Sequence, residues 1–239
     1  EFRRVLFRSV NLEIREGEIL VIAGVQGNGQ TELTEAIIGM HGRTTGSIEL
    51  DGNQLIGKNV KQVLDLGVGF VPEDRTEDGL VADFTIAENL MLDRSDRKPF
   101  AKGISLQLNF LKQFAEEKLK QFDIRAQSIN SKASELSGGN QQKVLMGKWL
   151  LDDPAVLILD DPTQAVDVGA RSAVLRAARQ AAVDGTAVVL CSAEVDDLAA
   201  VCDRVHILEN GLVVRTLKQP MTPQDILSAT YAQSKGKNA

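Results

Sequence analysis

No apolar run in this sequence of 239 residues reaches the length of a membrane span; residues 156–159 and 187–191 have the length of buried strands. A membrane role would therefore need a separate partner. Cysteine is scarce: Cys191 and Cys202 match no metal-ligand spacing and no disulfide framework, which suits a reducing compartment. Basic residues are outnumbered, 27 against 33 acidic, for a formal net charge of −6. That balance argues against a protein that grips a nucleic-acid backbone and leaves room only for a local basic patch. The only histidines, His41 and His206, stand apart from the motifs below and read as surface or strand residues. No internal repeat breaks the chain, whose length fits one large domain or one domain with a subdomain.

Residues 3–9, Arg-Arg-Val-Leu-Phe-Arg-Ser, resemble a translated sequencing-library adapter, so natural sequence is expected from near Val10. A short basic arm or a damaged first strand is the other reading of this segment. Residues 10–14 alternate like an edge strand, and Glu16-Gly17-Glu18 turns the chain. Residues 19–23 form a short apolar run ending in a glycine loop, and a helix is expected from near Thr31 to Gly39-Met40. That order is the strand–loop–helix unit of a phosphate-binding α/β fold. A strand at 47–50, a helix at 60–66 and a strand at 67–71 follow.

From about Pro72 to Leu151 the period becomes helical. Residues 110–122 are the clearest amphipathic stretch, with Leu111, Phe114, Leu119 and Phe122 on a packed side and Glu116, Glu117, Lys118 and Lys120 on a solvated face. Strands return at 155–159, 187–191 and 204–208, with a helix at 169–183 between the first two. Asn210-Gly211 marks a hairpin into 212–216, a short helix is expected within 220–230, and the chain ends in a polar tail. The expected division is an α/β core of residues 10–71 and 152–230, a helical insertion of 72–151, and a tail from 231.

The most informative run is Leu136-Ser137-Gly138-Gly139-Asn140-Gln141-Gln142-Lys143. Ser137 offers a hydroxyl, the glycines let backbone N–H groups approach an anion, and the following helix aims its positive end at the same place. Such a site has no lysine and no metal ligand, so it makes half of a nucleotide site and needs a second half from elsewhere. The plainer reading is a glycine turn before an amphipathic helix. Gly24-Val25-Gln26-Gly27-Asn28-Gly29-Gln30-Thr31 has the spacing of a phosphate loop, running into Glu32 at the helix start. In Val156-Leu157-Ile158-Leu159-Asp160-Asp161-Pro162-Thr163, a buried strand delivers two carboxylates to its C-terminal end, where α/β folds bind ligands. By themselves these two motifs also read as a common βα turn and as a helix-capping acidic pair.

Taken in this order, the motifs resemble those of the ABC-type ATPases, over about residues 10–230. The resemblance implies a P-loop fold with a mixed sheet core and an inserted helical subdomain carrying the signature, residues 136–143. It implies ATP and Mg2+ as cofactors. Gly24, Gly27, Asn28, Gly29, Gln30, Thr31 and Glu32 would bind phosphate, and Thr31, Asp160 and Glu73 would lie on the metal side. Ser137, Gly138, Gly139, Asn140 and Gln141 would bind the nucleotide of a partner domain. Asp167, in the D-loop-like Ala165-Val166-Asp167, would reach across the dimer interface or cap the helix near Gly169; the two roles are compatible.

Four positions depart from the family pattern. Gln30 replaces the lysine, Glu73 replaces the glutamine in Phe70-Val71-Pro72-Glu73-Asp74-Arg75, and Asp161 replaces the catalytic glutamate. Ser192-Ala193-Glu194 offers no switch histidine. Asp161, one methylene short, would hold an attacking water less well. The family's adenine-stacking aromatic is not visible. These losses imply that the chain's own loop binds nucleotide but hydrolyses it slowly or not at all, while its signature completes a competent partner site. The pattern is most similar to the C-terminal half of tandem simple-sugar and nucleoside importers. The implied partners are the N-terminal ATPase half of the same natural chain, two transmembrane permease subunits and an extracytoplasmic binding protein, on the cytoplasmic face of a bacterial inner membrane, with no nucleic acid. A nucleotide-binding regulatory module and a soluble ABC ATPase acting on DNA or ribosomes are the competing readings.

Overall fold

The computed structural model describes residues 10–150, 153–192, 194 and 198–231. The adapter-like segment, Ala193 and the tail from residue 232 lie outside the described residues. In chain order the elements are β1 (Ile19–Ala23), α1 (Gln30–Ile37), β2 (Glu49–Leu50), β3 (Asn53–Gln54), α2 (Val60–Leu64), β4 (Val68–Val71), α3 (Ile86–Met91), β5 (Ala101–Lys102), β6 (Ser105–Leu106) and α4 (Leu108–Gln121). Then come α5 (Gly138–Trp149), β7 (Val156–Asp160), α6 (Val168–Val183), β8 (Ala187–Ser192), β9 (Arg204–Glu209), β10 (Leu212–Lys218) and α7 (Pro223–Tyr231). The described residues group into two compact units, one of residues 10–70, 153–162 and 178–231, the other of 71–150 and 163–177.

The first unit is built on a six-stranded sheet in the order β10-β9-β1-β8-β7-β4. Within this sheet β1 pairs in parallel with β8 and β9, β7 pairs in parallel with β8, and β9 pairs antiparallel with β10. Every residue of β1 and β8 is buried, which explains their unbroken apolar runs: a parallel strand covered on both faces has no solvent side to mark with polar residues. β10 is the exposed edge, and Asn210 (φ 49°) and Gly211 (φ 76°) form the tight turn that joins it to β9.

Residues 10–14 differ from the expected edge strand. Val10, Leu12 and Ile14 do pack against the core around Ile22, Leu33 and Val189, with Asn11 and Glu13 exposed between them. The segment nonetheless forms no strand. Alternating burial requires only a core to lie against, whereas a strand also requires a backbone ladder; here the Glu13 carbonyl is taken by the Arg204 guanidinium instead.

In the second unit, α4 buries Leu111, Phe114 and Ala115, and Phe114 meets Phe100 edge-on at 5.2 Å. Lys118 was expected on the solvated face and is instead buried. Its Nζ lies 5.6 Å from the Phe114 ring centre and 5.9 Å from that of Phe122, and donates to Gln121 Oε1 at 2.6 Å. The stem covers apolar surface and the charge rests on π faces, a placement that charge patterning does not reveal.

α3 starts with a capping box, Thr85 and Glu88, and carries the fully buried Asn89. The Asn89 carboxamide accepts from Val81 N–H at 2.8 Å and donates to the Val81 and Thr85 carbonyls at 3.0 and 3.1 Å. The loop it holds supports residues 129–134: Ala133 N–H donates to Phe84 O at 2.9 Å and Ser134 N–H to Ala82 O at 3.0 Å. Ala133 O in turn accepts from Gln141 Nε2 at 3.0 Å, so this scaffold reaches the signature run. Asn89→Ala should therefore lower the unfolding free energy by about 3 kcal/mol, because it strands buried backbone groups as well as losing hydrogen bonds. Urea unfolding of the two chains measures this; a loss under about 0.5 kcal/mol would be the size of an ordinary surface change and would contradict it.

Candidate functional site

In the first unit, β1 runs into the glycine loop and the loop into α1. Gly27 (φ 85°) and Gly29 (φ 106°) take the left-handed backbone that curls the loop, and no side chain caps α1. The first N–H groups of α1 have no intrahelical carbonyl, so loop and helix start present a concave set of donors fit for phosphate oxygens. Glu32 lies in that first turn. Gly24 is required by space: a Cβ there would stand 2.5 Å from the Leu208 carbonyl oxygen and 2.7 Å from Gln30 Nε2.

Gln30 is buried, and its amide folds back over the loop to donate to the Val25 carbonyl at 3.4 Å. A residue at the lysine position is thus spent on the loop's own backbone and brings no positive charge. Thr31, half-buried, begins α1 beside it. One turn on, the buried Thr34 hydroxyl lies 2.9 Å from the Thr31 carbonyl and 3.0 Å from Asp160 Oδ2, sharing one hydrogen between two acceptors. Thr34 ties α1 to the end of β7 and brings Thr31 and Asp160 into one cluster; the sequence reading overlooked it, although its i+3 spacing from Thr31 was visible.

Asp161 leaves β7 with φ 40°, its N–H bound to the Cys191 carbonyl at 2.9 Å. Its Oδ1 lies 3.3 Å from the Ser192 hydroxyl, which also accepts from Glu194 N–H at 3.1 Å. Cys191 is fully enclosed; burial first, and then the Asp160 and Asp161 carboxylates, push its thiol well above the usual range. It stays protonated and inert. His206 lies buried in β9, its Nδ1 2.8 Å from Thr216 Oγ1, and burial, then Arg204, lowers its pKa. His41 pairs with Glu35 at 3.1 Å.

In the second unit, Ser137 stands before α5 without capping it; its oxygen accepts from Asn140 Nδ2 at 2.9 Å. Asn140 Oδ1 accepts from Arg125 N–H at 2.9 Å. Both signature glycines are closely approached, Gly138 by the movable end of a side chain and Gly139 by a helix residue. A Cβ on Gly138 would meet Arg75 Nη2 at 2.7 Å, and one on Gly139 would meet the Ala170 Cβ at 2.8 Å and Asp167 Oδ2 at 3.1 Å. Asp167 caps α6 through Oδ1, accepting from Ala170 N–H at 2.9 Å.

Arg75 ties this end of the unit together. Its guanidinium donates to the Gln164 carbonyl at 3.1 Å and to Gln141 Oε1 at 3.4 Å, and Gln164 Nε2 donates to Glu73 Oε1 at 3.3 Å. Glu73, Arg75, Gln164 and Gln141 of the signature run are therefore one hydrogen-bonded group. Asp74 caps the single π-helical turn Arg75–Gly79; the Thr76 hydroxyl first, and then the Glu77 and Thr76 N–H groups, lower its pKa. Arg75 and Gln164 were missed as site residues because their partners lie 66 to 91 residues away.

A family model described as ABC transporter matches residues 7–164, a stretch that holds the glycine loop, the signature and β7. The nucleoside import ATP-binding protein NupA of Lactococcus lactis subsp. cremoris is 37% identical over 206 residues, 86% of this chain and 41% of that protein. The ribose import ATP-binding protein RbsA of Halalkalibacterium halodurans is 36% identical over 213 residues, 89% of this chain and 42% of that one. The chain thus spans about two fifths of the length of these curated relatives. Among solved structures, the dimeric ATP-binding cassette MJ0796 in a post-hydrolysis state bound to ADP and Pi superposes with a TM-score of 0.77 at 25% identity, covering 90% of this chain and 91% of that one. The MJ1267 cassette in its ADP conformation shares the fold at a TM-score of 0.77 and 19% identity, covering 97% and 92%. With one family model running through all three motifs, this chain belongs to the ABC transporter family and has the fold of its ATP-binding cassettes.

Proposed function

We propose that this chain is the ATP-binding domain of an importer for simple sugars or nucleosides, with a weakened nucleotide site of its own and a signature that serves a partner. The observation that carries the reading is Gln30, whose amide is turned onto the Val25 carbonyl where the family pattern has a cation. The loop's N–H groups would still hold phosphate oxygens. Thr31 and Asp160 would hold the magnesium ion, which supplies charge neutralisation on the phosphates. Asp161 is the residue proposed to orient water, and it is short for the task.

The signature is differently equipped. Ser137 accepts from Asn140, so its own hydroxyl hydrogen is available to an anion, and Arg75 sets a positive charge beside Gly138. The N–H groups at the start of α5 point the same way. That asymmetry supports a role in trans, on a nucleotide held by the N-terminal ATPase half of the natural polypeptide. Importer activity is supported by the sugar- and nucleoside-import names of the curated relatives. In this scheme permeases and an extracytoplasmic binding protein choose the substrate, at the cytoplasmic face of the membrane, and closure of the two cassettes drives them.

Two measurements test the reading. Ser137→Arg should cut the ATPase of the assembled transporter by about 100-fold or more, in the range lost when an oxyanion donor is removed, and leave the affinity of this chain for MgATP unchanged. Unaltered ATPase would remove the role in trans. Gln30→Lys should tighten MgATP binding to this chain by about tenfold, the effect of one added charge-assisted contact. Binding that stays within twofold would mean that the missing cation is not what weakens the site.

A further inference from the structure

Asn28 lies in the phosphate loop, and each of its polar groups is bound inside the protein. Its N–H donates to the Val25 carbonyl at 3.2 Å, closing the loop on itself. The other three reach across to the β9–β10 hairpin, about 180 residues on. Asn28 Nδ2 donates to the Leu208 carbonyl at 3.2 Å, Oδ1 accepts from Asn210 N–H at 3.3 Å, and the backbone carbonyl accepts from Gly211 N–H at 2.9 Å. The Leu208 carbonyl also closes off the space over Gly24. Both ends of the loop therefore rest on one hairpin.

The turn is shaped for this. Left-handed backbone at Asn210 and Gly211 directs two successive N–H groups at a single residue, as a tight hairpin turn allows. The loop needs such support, because its three glycines carry large backbone freedom that must be given up on binding. A lysine would offset that loss by its attraction to phosphate, and Gln30 does not.

We propose that Asn28 is a positioning residue: it clamps the phosphate loop to the Asn210–Gly211 turn in its donor-presenting shape before nucleotide arrives. Nucleotide affinity of this chain then depends on a hairpin that touches no phosphate. Prior ordering of the loop removes part of the entropy lost on binding. The inference rests on the reading above that the loop holds nucleotide.

The test is titration of the full chain with a fluorescent methylanthraniloyl-ATP and Mg2+. Asn28→Ala should raise Kd by about tenfold, as expected for two lost hydrogen bonds that hold the loop. Gly211→Ala strains the turn from the hairpin side, alters no residue of the loop, and should raise Kd in the same direction. Amide hydrogen exchange over residues 25–29 should quicken in both variants without nucleotide and return to the wild-type rate at saturation, which a general loss of stability would not produce. If wild-type binds and both variants bind within twofold of it, the clamp is overturned alone. If wild-type binds no nucleotide, the own-site reading falls and the clamp falls with it.

Discussion

The burial of β1 governs the rest of the first unit. Ile19–Ala23 is covered on both faces and paired on both edges, so the chain can leave it only at the C-terminal end of the sheet, beside the ends of β7 and β8. Everything reactive in this unit is placed by that exit. The glycine loop turns there because its first residue has no room for a side chain against Leu208. Asp160 arrives there because the three apolar residues before it, Leu157 to Leu159, are buried, and Thr34 then joins it to α1. Burying these strands supplies a driving force of about 25 cal/mol per Å2 of apolar area and leaves little freedom over where the polar residues emerge.

The two sets of groups proposed to face phosphate are unequally equipped. The loop of the first unit has the backbone of a phosphate site without its cation, and the carboxylate next to Asp160 is short. The signature has a serine hydroxyl that accepts from Asn140 and keeps its own hydrogen to donate, a helix start with no side-chain cap and a guanidinium beside its first glycine. Electrostatic stabilisation is the largest contribution to phosphoryl transfer, so the difference in charge matters more than the shared geometry. Under the function proposed above, such a cassette would contribute to hydrolysis chiefly through the groups it offers to another.

Much of this was legible in the sequence, for local reasons. Apolar runs, glycine spacing and the Asn210-Gly211 turn each act within a few residues, and the motifs fall in order along the chain. What was not legible was long-range. The clamp on Asn28, the reach of Arg75 to Gln164 and Gln141, and the Thr34–Asp160 bond all join residues remote in sequence, where no periodicity marks the partner. Lys118 and residues 10–14 misled for the opposite reason. Charge and alternation describe a side chain's usual company, and here an aromatic pair and a missing ladder decided the outcome.

The central claim is that nucleotide bound by this chain's own loop stays intact. Its most direct test is a single-turnover experiment, in which radiolabelled ATP and Mg2+ are mixed with excess chain and the bound nucleotide is analysed over time. The account predicts that most of the ATP is recovered unhydrolysed after about an hour, far slower than the roughly 1–1,000 per second of ordinary enzymes. Conversion of the bound ATP to ADP within seconds, lost in Gln30→Ala, would contradict it.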